Sequence, residues 1–357
     1  MGQRGNKILK RIDRWVGIAL ITFLRLLKWR RPIPLAPQHI GLMVTAAIGD
    51  TILVSALARA LKHKFPAAKI VLIHGATNSL IVPYIAGVDE TLLIPVTKPW
   101  VAVRKLRNMQ LDVLIDTGQW ARLNALLSFF SGANYTVGFK TEQQHRHYLF
   151  DAAIPHSEQV HEVENYLSLG GPWGVLRKTA QLQGLPPVEA QNQKVLFHVK
   201  PSGEKSWLKE WPSENWVLLI NHFTAQGMGV QLTGSPDDRG ALMPLLAQVA
   251  NPEKVEMLAG GSFADTLRAL QAARLVVSVN TGIMHIAAVL GKNLVALHGP
   301  TNPRRWGPVN SNAISLESNL TCAPCLNLGF EYGCEENRCM QSLSIRMVVS
   351  ACEKMLR

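Results

Sequence analysis

The sequence predicts an α/β protein of two domains, each built on a parallel sheet covered by helices on both faces. Three observations predict it. Short apolar runs of strand length alternate with helix-length segments from His39 to Asp116, and the alternation restarts at Val195; such alternation implies parallel sheets. A polar passage containing Gly and Pro, from about Arg177 to Gln193, separates the two series. A length of 357 residues, 47% apolar and 17% charged, suits two globular domains that each bury a core.

The chain opens with a basic arm. Residues 1–40 hold nine Lys and Arg against one acid, Asp13, out of a net charge of +12, so the body is near neutral. From Ile8 to Leu27 the arm is rich in Ile, Leu, Trp and Phe. Its longest uncharged run, Trp15 to Leu24, is ten residues, too short to span a bilayer. On a helical wheel Lys7, Lys10, Arg11, Arg14, Arg25 and Lys28 share one sector roughly 100° wide, opposite an apolar face. That pattern suits a helix lying on an anionic membrane surface through residues 7–28; the alternative is a helix packed on the protein's own body. The absence of a small-residue cleavage site argues against a signal peptide. The body lacks aromatic-basic interleaving and nucleic-acid motifs, so nucleic acid is not an expected partner.

After Pro32, Pro34 and Pro37, His39 to Thr45 reads as a buried strand and Asp50 to Lys64 as a helix. Lys69 to His74, Thr91 to Ile94 and Asp112 to Asp116 read as further strands. Beyond the linker, Val195 to Val199 and Gly229 to Thr233 read as strands, and Ser213 to Gln226, Asp238 to Val249 and Phe263 to Ala272 as helices. A strand from Leu275 to Val279 breaks at Asn280-Thr281-Gly282, then continues as an apolar helix to Leu290 and a strand from Leu294 to Leu297. The last helix, Ser344 to Leu356, can fold back on the first domain. The expected domains are an arm at 1–38, α/β domains at 39–176 and 194–341, and a C-terminal helix at 342–357. Two such domains are expected to face each other across a cleft, with ligands at the carboxyl ends of strands.

Three places suggest chemistry. The turn at Asn280-Thr281-Gly282 feeds a helix N-terminus just past a buried strand, where unpaired N–H groups suit a phosphate; it is also what an ordinary strand-to-helix turn looks like. The turn from Ala46 to Thr51 holds Gly49 and Asp50. Asp50 is explained as a helix cap, or as a carboxylate that takes a proton from an incoming hydroxyl. Lys205 and Lys209, before Trp211-Pro212, can neutralise a diphosphate or simply belong to a solvated loop. The turn after the first strand lacks Gly-x-Gly-x-x-Gly, which disfavours a dinucleotide-dependent oxidoreductase. No Asp-x-Asp pair occurs in the chain, so any diphosphate would be met by helix N-termini and Lys or Arg, with no carboxylate-held metal and no cofactor expected.

Five motifs occur in order: Gly49-Asp50-Thr51-Ile52-Leu53, Lys209-Glu210-Trp211-Pro212, Leu232-Thr233-Gly234-Ser235, Val279-Asn280-Thr281-Gly282-Ile283-Met284-His285, and His298-Gly299-Pro300-Thr301-Asn302-Pro303 running to Trp306-Gly307-Pro308. Together they resemble glycosyltransferase family 9, the ADP-heptose:lipopolysaccharide heptosyltransferases, over about His39 to Val348. The resemblance implies a GT-B fold, two Rossmann-like domains with parallel sheets facing across a cleft, and an inverting, metal-independent transfer. It implies that Asp50 is the general base, that Lys209 contacts the donor phosphates, and that Asn280, Thr281, Gly282 and His285 hold the donor beside Gly49 of the first turn. Asn280 departs from the family, whose heptosyltransferases usually carry Asp there. Asn keeps the shape and an acceptor but not the charge, which leaves the donor sugar and nucleotide open.

The resemblance thus implies transfer of a sugar, heptose from ADP-heptose in the first instance, onto a lipid-linked saccharide of lipopolysaccharide core or a related envelope glycan. With the arm, it places the protein in the cytoplasm, peripheral on the inner membrane. The alternative is a non-catalytic sugar-nucleotide-binding or scaffold protein that keeps the fold. Cys322, Cys325, Cys334 and Cys339 have a spacing compatible with a structural metal or with free thiols; both readings stay open.

Overall fold

Strand segments buried on both faces suit parallel sheets roofed by helices, and both sheets of this protein are wholly parallel. The computed structural model describes residues 7–45, 47–188, 193–203, 205–326 and 334–357, with only the backbone of Lys7, Ile8 and Leu9. Arg4 of the arm, Ala46 of the first turn, the linker residues 189–192, Glu204 and the 327–333 stretch between the cysteines lie outside the described residues. The chain divides into two compact units, Met1–Gln183 and Gly184–Arg357.

The first unit holds strands β1 (His39–Val44), β2 (Lys69–His74), β3 (Glu90–Leu93), β4 (Val113–Asp116), β5 (Tyr135–Lys140) and β6 (Ala152–Pro155). Their sheet order is β3-β2-β1-β4-β5-β6. Its helices are α1 (Lys7–Leu24), α2 (Ile48–Lys64), α3 (Pro99–Asn108), α4 (Arg122–Phe130) and α5 (Glu162–Ser168). The second unit repeats the plan with β7 (Val195–His198), β8 (Val230–Thr233), β9 (Val255–Met257), β10 (Leu275–Val279), β11 (Leu294–His298) and β12 (Ala313–Glu317), ordered β12-β11-β10-β7-β8-β9. Its helices are α6 (Ser213–Ala225), α7 (Arg239–Leu246), α8 (Phe263–Ala272), α9 (Gly282–Val289), the single turns α10 (Pro303–Trp306) and α11 (Arg338–Gln341), and α12 (Ile345–Leu356). In each unit the winding reverses between the first and fourth strands, β1 beside β4 and β7 beside β10. Such a reversal opens a crevice beyond the strand ends, where ligands settle.

Helix α12 belongs to the second unit: Val348, Ala351 and Cys352 are buried in its core beside Val295 and Leu297. Its strong amphipathy is used at home.

Helix α1 packs on its own unit along one narrow stripe. Ile21 and Leu24 are buried against Ala125, Leu149 and Phe150. Asp13 accepts hydrogen bonds from the backbone N–H groups of Arg122 (3.2 Å) and Leu123 (2.9 Å), which caps helix α4. At Gly17 a Cβ would come within 2.9 Å of the Arg122 Cβ, so the close approach needs glycine. Three members of the basic stripe also engage the body: Lys28 pairs with Asp151 at 2.8 Å, Lys10 lies over the Trp120 ring and Arg25 over the Tyr148 ring. The wide apolar face stays bare. Trp15 and Phe23 are 69% and 63% exposed, and Ile12, Val16, Leu20, Leu26 and Leu27 are exposed with them. Among the described residues no helix is long and apolar enough to cross a membrane.

Candidate active site

In the first unit the chain leaves β1 and enters α2 within a few residues. Ala47 occupies the N-cap and offers no side-chain cap. Asp50, at the third helical position, reaches back instead, its Oδ2 accepting the Ala47 N–H at 3.2 Å. That is half of a capping box. Its other oxygen, Oδ1, accepts the hydroxyl of Tyr166 at 2.8 Å. Asp50 therefore caps its helix through one oxygen and is held by a second element through the other. Gly49 is buried in the same first turn.

The neighbouring strand end is fixed with equal care. Asp116, the last residue of β4, is fully buried and paired with Arg146. It also accepts the Gly118 N–H at 2.8 Å, and a Cβ on Gly118 would meet Asn124 Nδ2 at 2.9 Å. Arg146 holds the same loop through the Ala121 carbonyl at 2.9 Å. The loop so shaped delivers Gln119, whose Nε2 donates to Glu162 Oε1 at 2.7 Å and lies 3.4 Å from the Tyr166 hydroxyl. His156 Nε2 meets the same Glu162 oxygen at 2.7 Å, and Asn165 donates to Oε2 at 3.2 Å. Tyr166 is buried, and burial, with Asp50 and Glu162 nearby, pushes its phenol well above its ordinary pKa. It remains a neutral donor.

In the second unit the corresponding strand ends carry the other expected residues. Helix α9 starts at Gly282 with Thr281 as an extended N-cap whose side chain makes no cap bond. The Thr281 Oγ1 is buried and without a hydrogen-bond partner among the described residues. Asn280 donates from Nδ2 to the Trp306 carbonyl at 3.1 Å, tying the turn to α10. A carboxylate would place one oxygen against another there, which is a physical reason for Asn in this chain. His285 is buried one turn further on. Lys209 follows β7, the strand beside β10, in a short 3-10 turn, its Nζ on the Ser202 carbonyl at 2.9 Å. The loop is anchored by Trp211, which is buried, donates to the Leu343 carbonyl at 2.7 Å and meets Trp216 edge-on. Lys205 is paired with Glu335 at 2.6 Å. The structure thus gathers Asn280, Thr281, Gly282 and His285 on one turn, sets Lys209 after the adjacent strand, and assigns Gly49 and Asp50 to the other unit.

Two histidines at strand ends of the second unit are buried and neutral. Burial lowers His198 to about 4, with Thr233 Oγ1 at 3.0 Å, and His298 to about 3, with Thr301 Oγ1 at 3.2 Å. Of the clustered cysteines, Cys322 and Cys334 are exposed, Cys325 is half-buried and Cys339 is buried. Among the described residues no group of three or more His, Cys, Asp or Glu is placed to hold a metal ion.

The profile of glycosyltransferase family 9 (heptosyltransferase) matches residues 100–334. The chain belongs to this family. Lipopolysaccharide heptosyltransferase 2 of Salmonella typhimurium is 26% identical over 294 residues, 74% of this chain and 84% of that one. Lipopolysaccharide heptosyltransferase 1 of Pseudomonas aeruginosa is 35% identical over 123 residues, with only 34% of either chain covered. Among solved structures, the E. coli ADP-heptose lipopolysaccharide heptosyltransferase II superposes with a TM-score of 0.72 at 21% identity, over 89% of this chain and 98% of that one. The E. coli heptosyltransferase WaaC with ADP gives 0.70 at 19% identity, over 89% and 99%. At these identities the likeness establishes the fold, GT-B, with its two Rossmann-like α/β units. Sequence reasoning for this family 9 member missed Tyr166, Gln119, Glu162 and His156, which no shared motif or periodicity links.

Proposed function

We propose that this family 9 protein transfers heptose from ADP-heptose to a lipid-linked saccharide of lipopolysaccharide core, with inversion and without a metal. The observation that carries the reading is the Asp50 carboxylate, held at the winding reversal of the first unit by Tyr166. Asp50 takes the proton of the acceptor hydroxyl as its oxygen bonds to the anomeric carbon. The bond from that carbon to the diphosphate oxygen breaks on the opposite face, and ADP leaves with the electron pair. Positive charge builds on the sugar as in glycoside cleavage. The N–H groups at the start of α9, with Lys209, take up the charge of the departing diphosphate. This assigns the acceptor to the first unit and the donor to the second. The names of the relatives, which act on lipopolysaccharide, support the substrate classes.

The bare face of α1 supports a cytoplasmic protein peripheral on the inner membrane. Exposed Trp15 and Phe23 would enter the headgroup region while Arg11 and Arg14 meet anionic lipid. Because α1 is docked by its other face, the test is a substitution on the outward side. Trp15→Glu with Phe23→Glu should abolish sedimentation with anionic vesicles while leaving the melting temperature unchanged; retained sedimentation removes the membrane reading. For the chemistry, ADP release is followed with ADP-heptose and lipopolysaccharide from heptose-lacking cells. Wild type should turn over and Asp50→Ala should not. ADP release by Asp50→Ala near the wild-type rate would overturn the base, and no turnover by wild type would favour a non-catalytic binding protein.

A further inference from the structure

A buried carboxylate with no exposed surface is an expensive way to hold two elements together, since apolar side chains of similar size serve stability as well. Glu162 is such a group. Its two oxygens accept from Gln119, His156 and Asn165, and the Gln119 amide that donates to it also faces the Tyr166 hydroxyl. From this network Tyr166 reaches on to Asp50, its hydroxyl donating to Oδ1. We propose that Tyr166 is a positioning residue that aims and holds ionised the Asp50 carboxylate, with Gln119 and Glu162 locking the phenol in place. The proposal rests on the reading of Asp50 as the base.

The geometry leaves the carboxylate little freedom. Oδ2 is engaged by the Ala47 N–H and Oδ1 by the phenol, so rotation about the Cβ–Cγ bond would break two hydrogen bonds together. Each carboxylate oxygen can accept more than one donor, and with both oxygens held the carboxylate keeps a single orientation. The phenol donates to the charged form of Asp50, which favours ionisation. The two carboxylates flanking Tyr166 oppose loss of its own proton, so the bond keeps its direction, phenol to carboxylate, across the working pH range. Chain connectivity supplies none of this: Asp50 and Tyr166 are 116 residues apart.

The test compares wild type, Tyr166→Phe and Asp50→Ala. ADP release with ADP-heptose and heptose-free lipopolysaccharide is measured from roughly pH 5 to 9, beside a carbon-13 NMR titration in which the Asp50 carboxyl is identified by its loss in Asp50→Ala. The phenylalanine ring keeps the packing, so Tyr166→Phe should melt near wild type. It should lower kcat about tenfold with both KM values within about twofold, and move the acid limb and the Asp50 titration up by about one pH unit. An unmoved Asp50 titration overturns the proposal, as does a rise in acceptor KM with no movement of the limb, which would make Tyr166 a substrate contact. Turnover by Asp50→Ala would remove the base reading while the NMR titration still reports on the Tyr166 contact. A dead Asp50→Ala beside an unaltered Tyr166→Phe would leave the base standing and remove the positioning role.

Discussion

The two units share a strand order and place their candidate residues at the same point of it, yet they furnish that point in opposite ways. In the first, Asp50 has both oxygens hydrogen-bonded and is backed by a buried polar network. In the second, α9 opens at the N-cap Thr281, whose side chain makes no cap bond and whose hydroxyl has no partner among the described residues. A base must hold one direction and one protonation state. A phosphate seat must keep donors uncommitted until the anion arrives. On the proposed reading, the doubly held Asp50 carboxylate and the unengaged Thr281 hydroxyl would serve these two tasks on one topology.

The largest effects should separate the two ends. Asp50→Asn is expected to lower kcat by about 100- to 10,000-fold with ADP affinity unchanged by calorimetry. Lys209→Ala should do the reverse, weakening ADP about tenfold or more, since a charge-assisted contact contributes about 1.5–3 kcal/mol. Loss of ADP affinity in Asp50→Asn would break the division of labour.

Acid should distinguish the units next. His198 and His298 are neutral in folded and unfolded chains at pH 7. Below about pH 6.5 the unfolded chain takes up protons that the folded chain refuses until about 4 and about 3. The second unit should thus lose about 1.4 kcal/mol per pH unit for each histidine across that window. Asp151 of the first unit behaves differently. Its burial is outweighed by Lys28, the Arg31 N–H and Thr136, which hold it below its ordinary value, so its contribution is lost only below about pH 4. Melting curves from pH 7 to about 5 should show the second unit failing first, and His298→Gln should flatten the slope.

Asn280→Asp sharpens the contrast within the second site. It replaces a donor to the Trp306 carbonyl with a repelling oxygen and should cost about 1–3 kcal/mol of stability, read by denaturant unfolding. An unchanged midpoint would mean that the turn does not depend on that bond. The smallest effect belongs to the arm. Asp13→Ala uncaps α4 and should cost about 1 kcal/mol.

What the sequence made legible follows largely from burial, with two exceptions: half-buried β3 is read, and buried β5, whose apolar run is interrupted by Thr136 and Gly138, is not. Strands β1, β2, β7, β10 and β11 are nearly fully buried, so they read as continuous apolar runs. Strands β6 and β12 sit at sheet edges, half-buried, and carry no such signature; α5 has only seven residues. The site divides along the same line. Asp50, Lys209 and the Asn280 to His285 turn lie in contiguous motifs. Tyr166, Gln119 and Glu162 converge from separate segments and become a set only once the chain is folded. The helix at Lys7–Leu24 was legible as amphipathic, but its seat on Ala125, Leu149 and Phe150 was not, because its docking stripe is short and contains a glycine and an acid.

That seat has a practical consequence for anyone shortening the chain. Cutting away the arm would unroof Leu149 and Phe150 and leave the first turn of α4 without its acid. The shortened protein would be a body with an open seam, prone to stick to itself through the scar. A failed truncation would then report on carpentry, and say nothing about whether lipid was ever the arm's partner.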